Sequence, residues 1–337
     1  MPYPVKTKTS KRYVPARALI SLCTTFAILS QHRFLDPLKV RFQRVFRPVI
    51  LAVLIISLAA IGGLSTANAV TKNDRMSLQQ AREYLLALIN MDRRRSGLRP
   101  VGLDSIATKA GQLHTAKLLS VGAHGHFQPN GTKPPQRYNL AGGTDYVAEN
   151  AYCIGNCDRR HKVDPNATFT RDSITVLEEG WMKSPLHRQN ILDKDHTHVG
   201  IGLSKSNDGI TISAVQEFIN KYGNIGRIPD RAYRGNRVPI SGSLIPGYKI
   251  RSIDVFREPF PQRMSVDACN SKYSYDLPNA RVVTYFPDKM AISPNGFGVS
   301  IDVRSEWQTG LYYAFIWAEN TRTQEAIPIS MLTFYVL

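Results

Sequence analysis

The sequence predicts an α+β chain in two folded parts behind an export-type segment. Three observations carry this reading. Residues 77–223 show helical periods that give way only at their end to a hairpin pattern. Residues 248–337 show period-2 alternation with no helical period. One apolar run, residues 49–69, stands before both, with basic residues on its N-terminal side. The expected architecture is a small sheet covered by helices, followed by a smaller all-β antiparallel sandwich.

Composition bounds the function. The chain has 337 residues and a formal net charge of +17. Residues 1–48 hold ten Lys/Arg and one acid, Asp36, so more than half of the excess precedes the apolar run. That placement points to membrane targeting. No Lys/Arg stripe with interleaved aromatics follows, so no nucleic-acid partner is expected. A single apolar run excludes a polytopic membrane protein, and four cysteines exclude a disulfide-dense mini-scaffold.

The basic N-terminal region, 1–48, leads into Val49–Leu64, an uninterrupted apolar core, and then Ser65-Thr-Ala-Asn-Ala69. Ala67 and Ala69 fit the small-x-small rule, which places signal cleavage after Ala69. The competing reading is an uncleaved anchor, since Pro48–Thr71 offers about 24 uncharged residues where a span needs roughly 20. Either way the C-terminal bulk is expected outside the cytoplasm, secreted or tethered to the membrane through 49–69. The long leader also admits a later start, at Val40 or Val45.

Within 77–223, Ser77 and Gln80 form a capping-box pattern. Ala81, Tyr84, Leu85, Leu88 and Ile89 recur at helical spacing, and Gly97 supplies the stop. Asp104 can cap a second helix carrying Ile106, Ala107, Ala110, Leu113, Leu118 and Leu119. A third is expected over 171–183, with Val176, Trp181 and Met182 facing a core. Val199–Leu203 and Ile210–Val215 read as strands joined at Asn207-Asp-Gly209. Arg93, Arg94 and Arg95 read as a solvated helix end. His196 and His198 would share a strand face.

Cys153 and Cys157, in an exported setting, read as a disulfide; free thiols, or a C-x3-C-x3-H metal site with His161, are the alternatives. Residues 224–247 are rich in Gly, Pro and Arg and read as a linker. Lys249–Phe256, Arg263–Ala268, Arg281–Phe286, Val299–Val303, Leu311–Trp317 and Met331–Val336 read as strands. The Gly310–Trp317 segment resembles the penultimate strand of an immunoglobulin-like domain.

Four patches remain: Leu88–Gly97 leading into Leu103-Asp104; His124-Gly-His126-Phe with Asn130-Gly131; Ala148-Glu149-Asn150; and Trp181–Ile191, with Val199-Gly-Ile-Gly202 after it. Their order and spacing resemble the bacterial branch of the CAP superfamily, named for cysteine-rich secretory proteins, antigen 5 and pathogenesis-related proteins (SCP-like), over about 77–220. The resemblance implies a CAP-like α-β-α sandwich. Eukaryotic-type members carry a cleft of two His and two Glu that in some binds a divalent metal. By motif, His126 matches the first His, Glu149 the Glu of the Gly-Glu-Asn motif, and His187 the second His. The second Glu is replaced by Ser184, so the tetrad is incomplete.

Two imidazoles and a carboxylate could still hold Zn2+ and activate its water. Without metal, Glu and His could act as base and acid, or form a network that ties loops to the sheet. No Ser or Cys nucleophile with a recognisable motif accompanies them. The expectation is a non-enzymatic binding module for a small molecule, lipid or cell-envelope component. The alternatives are a divalent-metal-dependent hydrolase using His126, Glu149 and His187, and a structural envelope protein.

Overall fold

A computed structural model describes residues 75–337. The basic leader, the apolar run 49–69 and the Ala69 cleavage point lie outside the described residues. Among the described residues, no helix is long and apolar enough to cross a membrane.

The chain opens with β1 (Arg75–Met76), whose partner arrives much later, and α1 (Leu78–Arg95). The capping box is realised in both directions: Ser77 Oγ accepts from Gln80 N–H, and Ser77 N–H donates to Gln80 Oε1. Ala81, Leu85 and Ile89 are buried. Arg93 is not solvated. It is fully buried and donates to the carbonyls of Arg99, Ile191, Asp193 and His196, tying the helix end to two loops. A buried guanidinium needs its donors met, and four carbonyls take four of its five N–H groups. After β2 (Gly102–Leu103), Asp104 caps α2 (Ser105–Val121) through Ala107 N–H at 2.8 Å. Leu113, expected inside, is 61% exposed.

Next come α3 (Pro134–Ala141), β3 (Tyr146–Ile154), β4 (Phe169–Thr170), α4 (Arg171–Lys183) and α5 (Pro185–Ile191). Trp181 and Met182 pack as expected, while Val176 is exposed. The hairpin of β5 (His198–Lys205) and β6 (Ile212–Asn220) completes a sheet in the order β2-β5-β6-β3. His196 precedes that hairpin and bonds Asn220 Oδ1, whereas His198 turns to Thr197 Oγ1, so the two do not act as a pair.

Period-2 geometry sorts this sheet. Val199, Ile201, Leu203, Ala214 and Phe218 face α1, α4 and α5. The opposite face meets α2 at Gly200 and Gly202. A Cβ on Gly202 would stand 2.2 Å from the Gly111 carbonyl carbon, so the Gly-Ile-Gly pattern is a helix–strand contact surface. The result is helix–sheet–helix layering.

The segment 224–247, expected as a linker, is part of the second sandwich. It carries β7 (Gly223–Ile225), β8 (Arg231–Ala232) and β9 (Arg237–Leu244). Then follow β10 (Tyr248–Glu258), a short helix α6 (Val266–Asn270), β11 (Ala280–Tyr285), β12 (Ala291–Ser293), β13 (Gly296–Asp302), β14 (Gly310–Asn320) and β15 (Ala326–Val336). Arg263–Ala268, expected as a strand, is loop and α6. Ser265 Oγ takes the Ala268 N–H and starts a helical turn there.

The sandwich sheets run β11-β10-β14-β15-β8 and β12-β13-β9-β7. Tyr312, Ala314 and Ile316 point into the core between them. Leu311, Tyr313 and Phe315, the set that alternates so visibly in the sequence, point to the other face. That face is also covered, by Tyr146 of β3 and Leu277 of the β10–β11 connection. Strand β14 is therefore apolar on both sides because the first fold packs on its back. Polar ties reinforce the contact: Thr333 N–H to Asn139 Oδ1 at 2.7 Å, and Asn220 Nδ2 to the Pro328 carbonyl at 2.9 Å.

Candidate functional site

Glu149 sits mid-strand on β3, on the face turned to α2 and α3. Its carboxylate is fully enclosed. Oε1 accepts from His126 Nδ1 at 2.8 Å, and Oε2 accepts from Arg137 Nη2 at 2.6 Å. Arg137 projects from α3, where Pro134 and Pro135 pre-set the helix start. Its Nη1 also holds the His126 and Thr132 carbonyls, at 2.7 and 3.1 Å. One guanidinium thus fixes the loop that carries His126 as well as the acid that His126 touches. Behind it, His114 is fully buried; Nε2 donates to the Gly125 carbonyl at 3.0 Å and lies 4.0 Å from Glu149 Oε1.

A second acid stands opposite. Glu217 of β6 pairs in register with Glu149, so both carboxyls share one sheet face. Burial, then the neighbouring Glu149 charge, pushes the Glu217 carboxyl well above its ordinary range. Among the described residues neither Glu217 oxygen finds a hydrogen-bond partner, which disfavours the carboxylate there. Burial alone would raise Glu149 too. The Arg137 guanidinium, with His114 and the His126 hydrogen bond, together outweigh that and hold Glu149 below the usual carboxylate range. Burial, with the Arg137 charge adding to it, pushes His114 down to about 3. The layer thus holds the Glu149–Arg137 ion pair, with Glu217 and His114 both shifted toward their uncharged forms.

The other face of β3 carries a separate polar layer. Asn150 Nδ2 donates to the His187 carbonyl and to Gln216 Oε1, both at 2.9 Å. Gln216 Nε2 donates to Glu178 Oε2 at 2.6 Å. Burial pushes Glu178 up to about 8. Asn150 thereby fixes α5 and the position of His187. The His187 ring is half-buried, and its Nδ1 has no partner among the described residues. Burial, then nearby His126, lowers its pKa.

His126 and His187 face one another across an open cleft. It has two lobes, of about 480 and 290 Å3, and both rings line both lobes. The remaining wall comes from the β10–β11 connection, residues 259–279, which crosses the cleft as a strap. Tyr275 is half-buried with its ring 5.0 Å from His126, and its hydroxyl oxygen accepts the Glu149 N–H at 3.3 Å. Asn270 Oδ1 accepts the His124 N–H, Met264 N–H bonds the Pro129 carbonyl, and Lys133 Nζ meets Glu258 Oε2. Cys269, within the strap, is free and its side chain is buried. The strap crosses so closely that a Cβ on Gly131, at φ +81°, would lie 2.4 Å from the Gln262 carbonyl.

The structure therefore brings His126 and Glu149 into contact and sets His187 across the cleft. Ser184, the substituted tetrad position, lines the larger lobe. Cys153 and Cys157 are joined as a disulfide at the rim of the smaller lobe. The donor set does not fit a divalent cation bound through Glu149. Both of its oxygens are engaged and enclosed, one by a permanent cation. Among the described residues, no group of three His, Cys, Asp or Glu is arranged to hold a metal.

Arg137, Glu217 and Tyr275 escape sequence reasoning. Glu217 leaves a trace, a lone acid inside the apolar run Ser213–Ile219. Arg137 follows Lys133-Pro-Pro, a helix start that places it one turn in. Tyr275 leaves no local signal, because it reaches the site from the second fold.

A helix–sheet–helix domain with a histidine cleft over a buried carboxylate defines the class. Residues 86–218 match the family model described as the cysteine-rich secretory protein family, CAP. This stretch is a CAP domain. No curated protein matches the chain. Among solved structures, an outer surface protein from Borrelia burgdorferi is 18% identical over 44% of this chain and 99% of that one, with a TM-score of 0.34. An extracellular protein containing an SCP domain from Bacillus anthracis strain Ames is 21% identical over 42% of this chain and 41% of that one, with a TM-score of 0.33.

Proposed function

We propose that this protein is an extracytoplasmic binding module whose ligand enters the cleft between His126 and His187. The export-type segment 49–69 and the Cys153–Cys157 disulfide support the location. One observation carries the choice of binding over catalysis: Glu149, the acid of the cleft, is already neutralised by Arg137 at 2.6 Å. A general base must keep its basicity for the substrate. Here the carboxylate is sealed beneath the floor, and its charge is matched before any substrate arrives.

One geometric feature favours the hydrolase as second reading. Nδ1 of His126 is held by a buried carboxylate, which aims Nε2 outward as in a His–acid dyad. No hydroxyl among the described residues completes it. Ser184 and Ser274 line the cleft, and neither bonds to His126 or His187.

The test screens the full chain against soluble oligosaccharides, phospholipid vesicles and short peptides, with ester, peptide and glycoside turnover followed on the same panel. Ligand-induced stabilisation that His187→Ala removes, without turnover, is the expected result. Turnover lost in both His126→Ala and Glu149→Gln would establish the hydrolase instead.

A further inference from the structure

The strap does more than close the cleft. Tyr273 is 86% exposed and lines both lobes, together with His126 and His187. An exposed aromatic ring on a surface loop is ordinarily a mobile liability; this one is held at both sides. Three residues before it, Asn270 bonds the His124 N–H, the Gly122 carbonyl and Asp158. Lys272 lies over the Phe127 ring. Two residues after it, Tyr275 packs edge-on against His126. A flat apolar face is thus carried on anchored backbone at the waist of a two-lobed cleft.

The rest of the larger lobe is polar without charge. Apart from the sealed Glu149, no Asp, Glu, Lys or Arg lines it. Its hydrogen-bonding groups include the hydroxyls of Ser184, Ser274 and Tyr273, the Gln189 amide and the rings of His126 and His187. An anionic head group finds no cation in this lobe, and the one Lys of the adjoining lobe, Lys272, is drawn over the Phe127 ring. An acyl chain finds polar groups interleaved with the apolar ones. A sugar ring matches both features, with C–H groups on its faces for an aromatic plane and neutral hydroxyls on its edge for amides and hydroxyls.

We infer that the cleft is a glycan site. A neutral pyranose ring rests on Tyr273 between His126 and His187, and a linked second ring enters the adjoining lobe. This rests on the binding reading above and names its ligand class. The sandwich half then contributes to recognition, because Tyr273 and Ser274 belong to its strap.

The experiment is calorimetric titration of the full chain with neutral oligosaccharides of hexose and N-acetylhexosamine, in α- and β-linkage. Phosphatidylcholine and phosphatidylglycerol vesicles and a neutral peptide serve as other arms. At least one oligosaccharide is expected to bind. Tyr273→Ala should weaken it about tenfold, the scale of one stacking contact, with the melting temperature unchanged. Tyr273→Phe should retain it. Equal binding by Tyr273→Ala overturns the inference, as does an oligosaccharide panel that fails entirely. If vesicles or peptide then bind in a manner that His187→Ala abolishes, the glycan class falls and the binding reading stands. If nothing binds, both fall.

Discussion

At the residue scale, the molecule turns on how buried charge is matched. Removing one partner of a buried ion pair leaves the other uncompensated. Arg137→Met should cost about 3–5 kcal/mol in chemical denaturation, whereas Glu217→Gln, which keeps a neutral hydrogen-bonding group, should cost little at neutral pH. The pH profile follows from the same groups. Glu178 is raised to about 8 from 4.5, so the folded state holds a proton that the unfolded chain releases. Its contribution is fully present below 4.5 and is lost as pH rises through 8. Glu217 acts in the same direction, while Glu149, being lowered, withdraws stability only as pH falls below the ordinary carboxylate range. Below about pH 6.5 the lowered imidazoles of His114, His187, His196 and His198 act in the opposite direction, so the decline in melting temperature should show between about pH 6.5 and pH 8, and Glu178→Gln should flatten it. An equal slope in both proteins would show that Glu178 is ionised in the fold. The sequence makes His126, Glu149 and His187 legible, since the motifs are contiguous. It hides Arg137 and Tyr275, because their roles arise from elements remote in sequence.

At the element scale, close approach explains residues that side-chain chemistry cannot. Helix α2 lies on β5 with only Gly200 and Gly202 between the backbones. Gly202→Ala should destabilise by about 1–3 kcal/mol or more, since neither backbone can retreat without opening the core. A variant as stable as the parent would contradict this packing. The period-2 and 3.6-residue patterns make α1, α2, α4 and the β5–β6 hairpin readable. Strand β9 is obscured by its own composition. Val238 and Ile240 alternate correctly, but Pro239 and Gly242 suggest a linker. The proline is tolerated because β7 reaches only Gly242–Leu244, so at Pro239 the strand has β13 as its one neighbour.

At the scale of the whole molecule, the two folds share a built surface. Strand β14 is apolar on both faces, and the strap delivers Tyr275 into the other fold's site. A linker between independent domains would give two unfolding transitions. The shared surface should give one transition for residues 75–337, which Gly131→Ala, by forcing the strap off, should split or broaden. Sequence alone could not foresee this coupling. The alternation in Leu311–Trp317 reads as a sandwich face and does not reveal that its outer side needs a cover.

The central claim is that Glu149 belongs to an internal ion pair and is not available to a ligand or metal. Zn2+ titration calorimetry on the full chain, beside Glu149→Gln, His126→Ala and His187→Ala, tests it most directly. With both Glu149 oxygens engaged, no Zn2+ binding that depends on Glu149 is expected. Micromolar binding lost in all three variants would contradict it, and would return the cleft to metal-dependent chemistry.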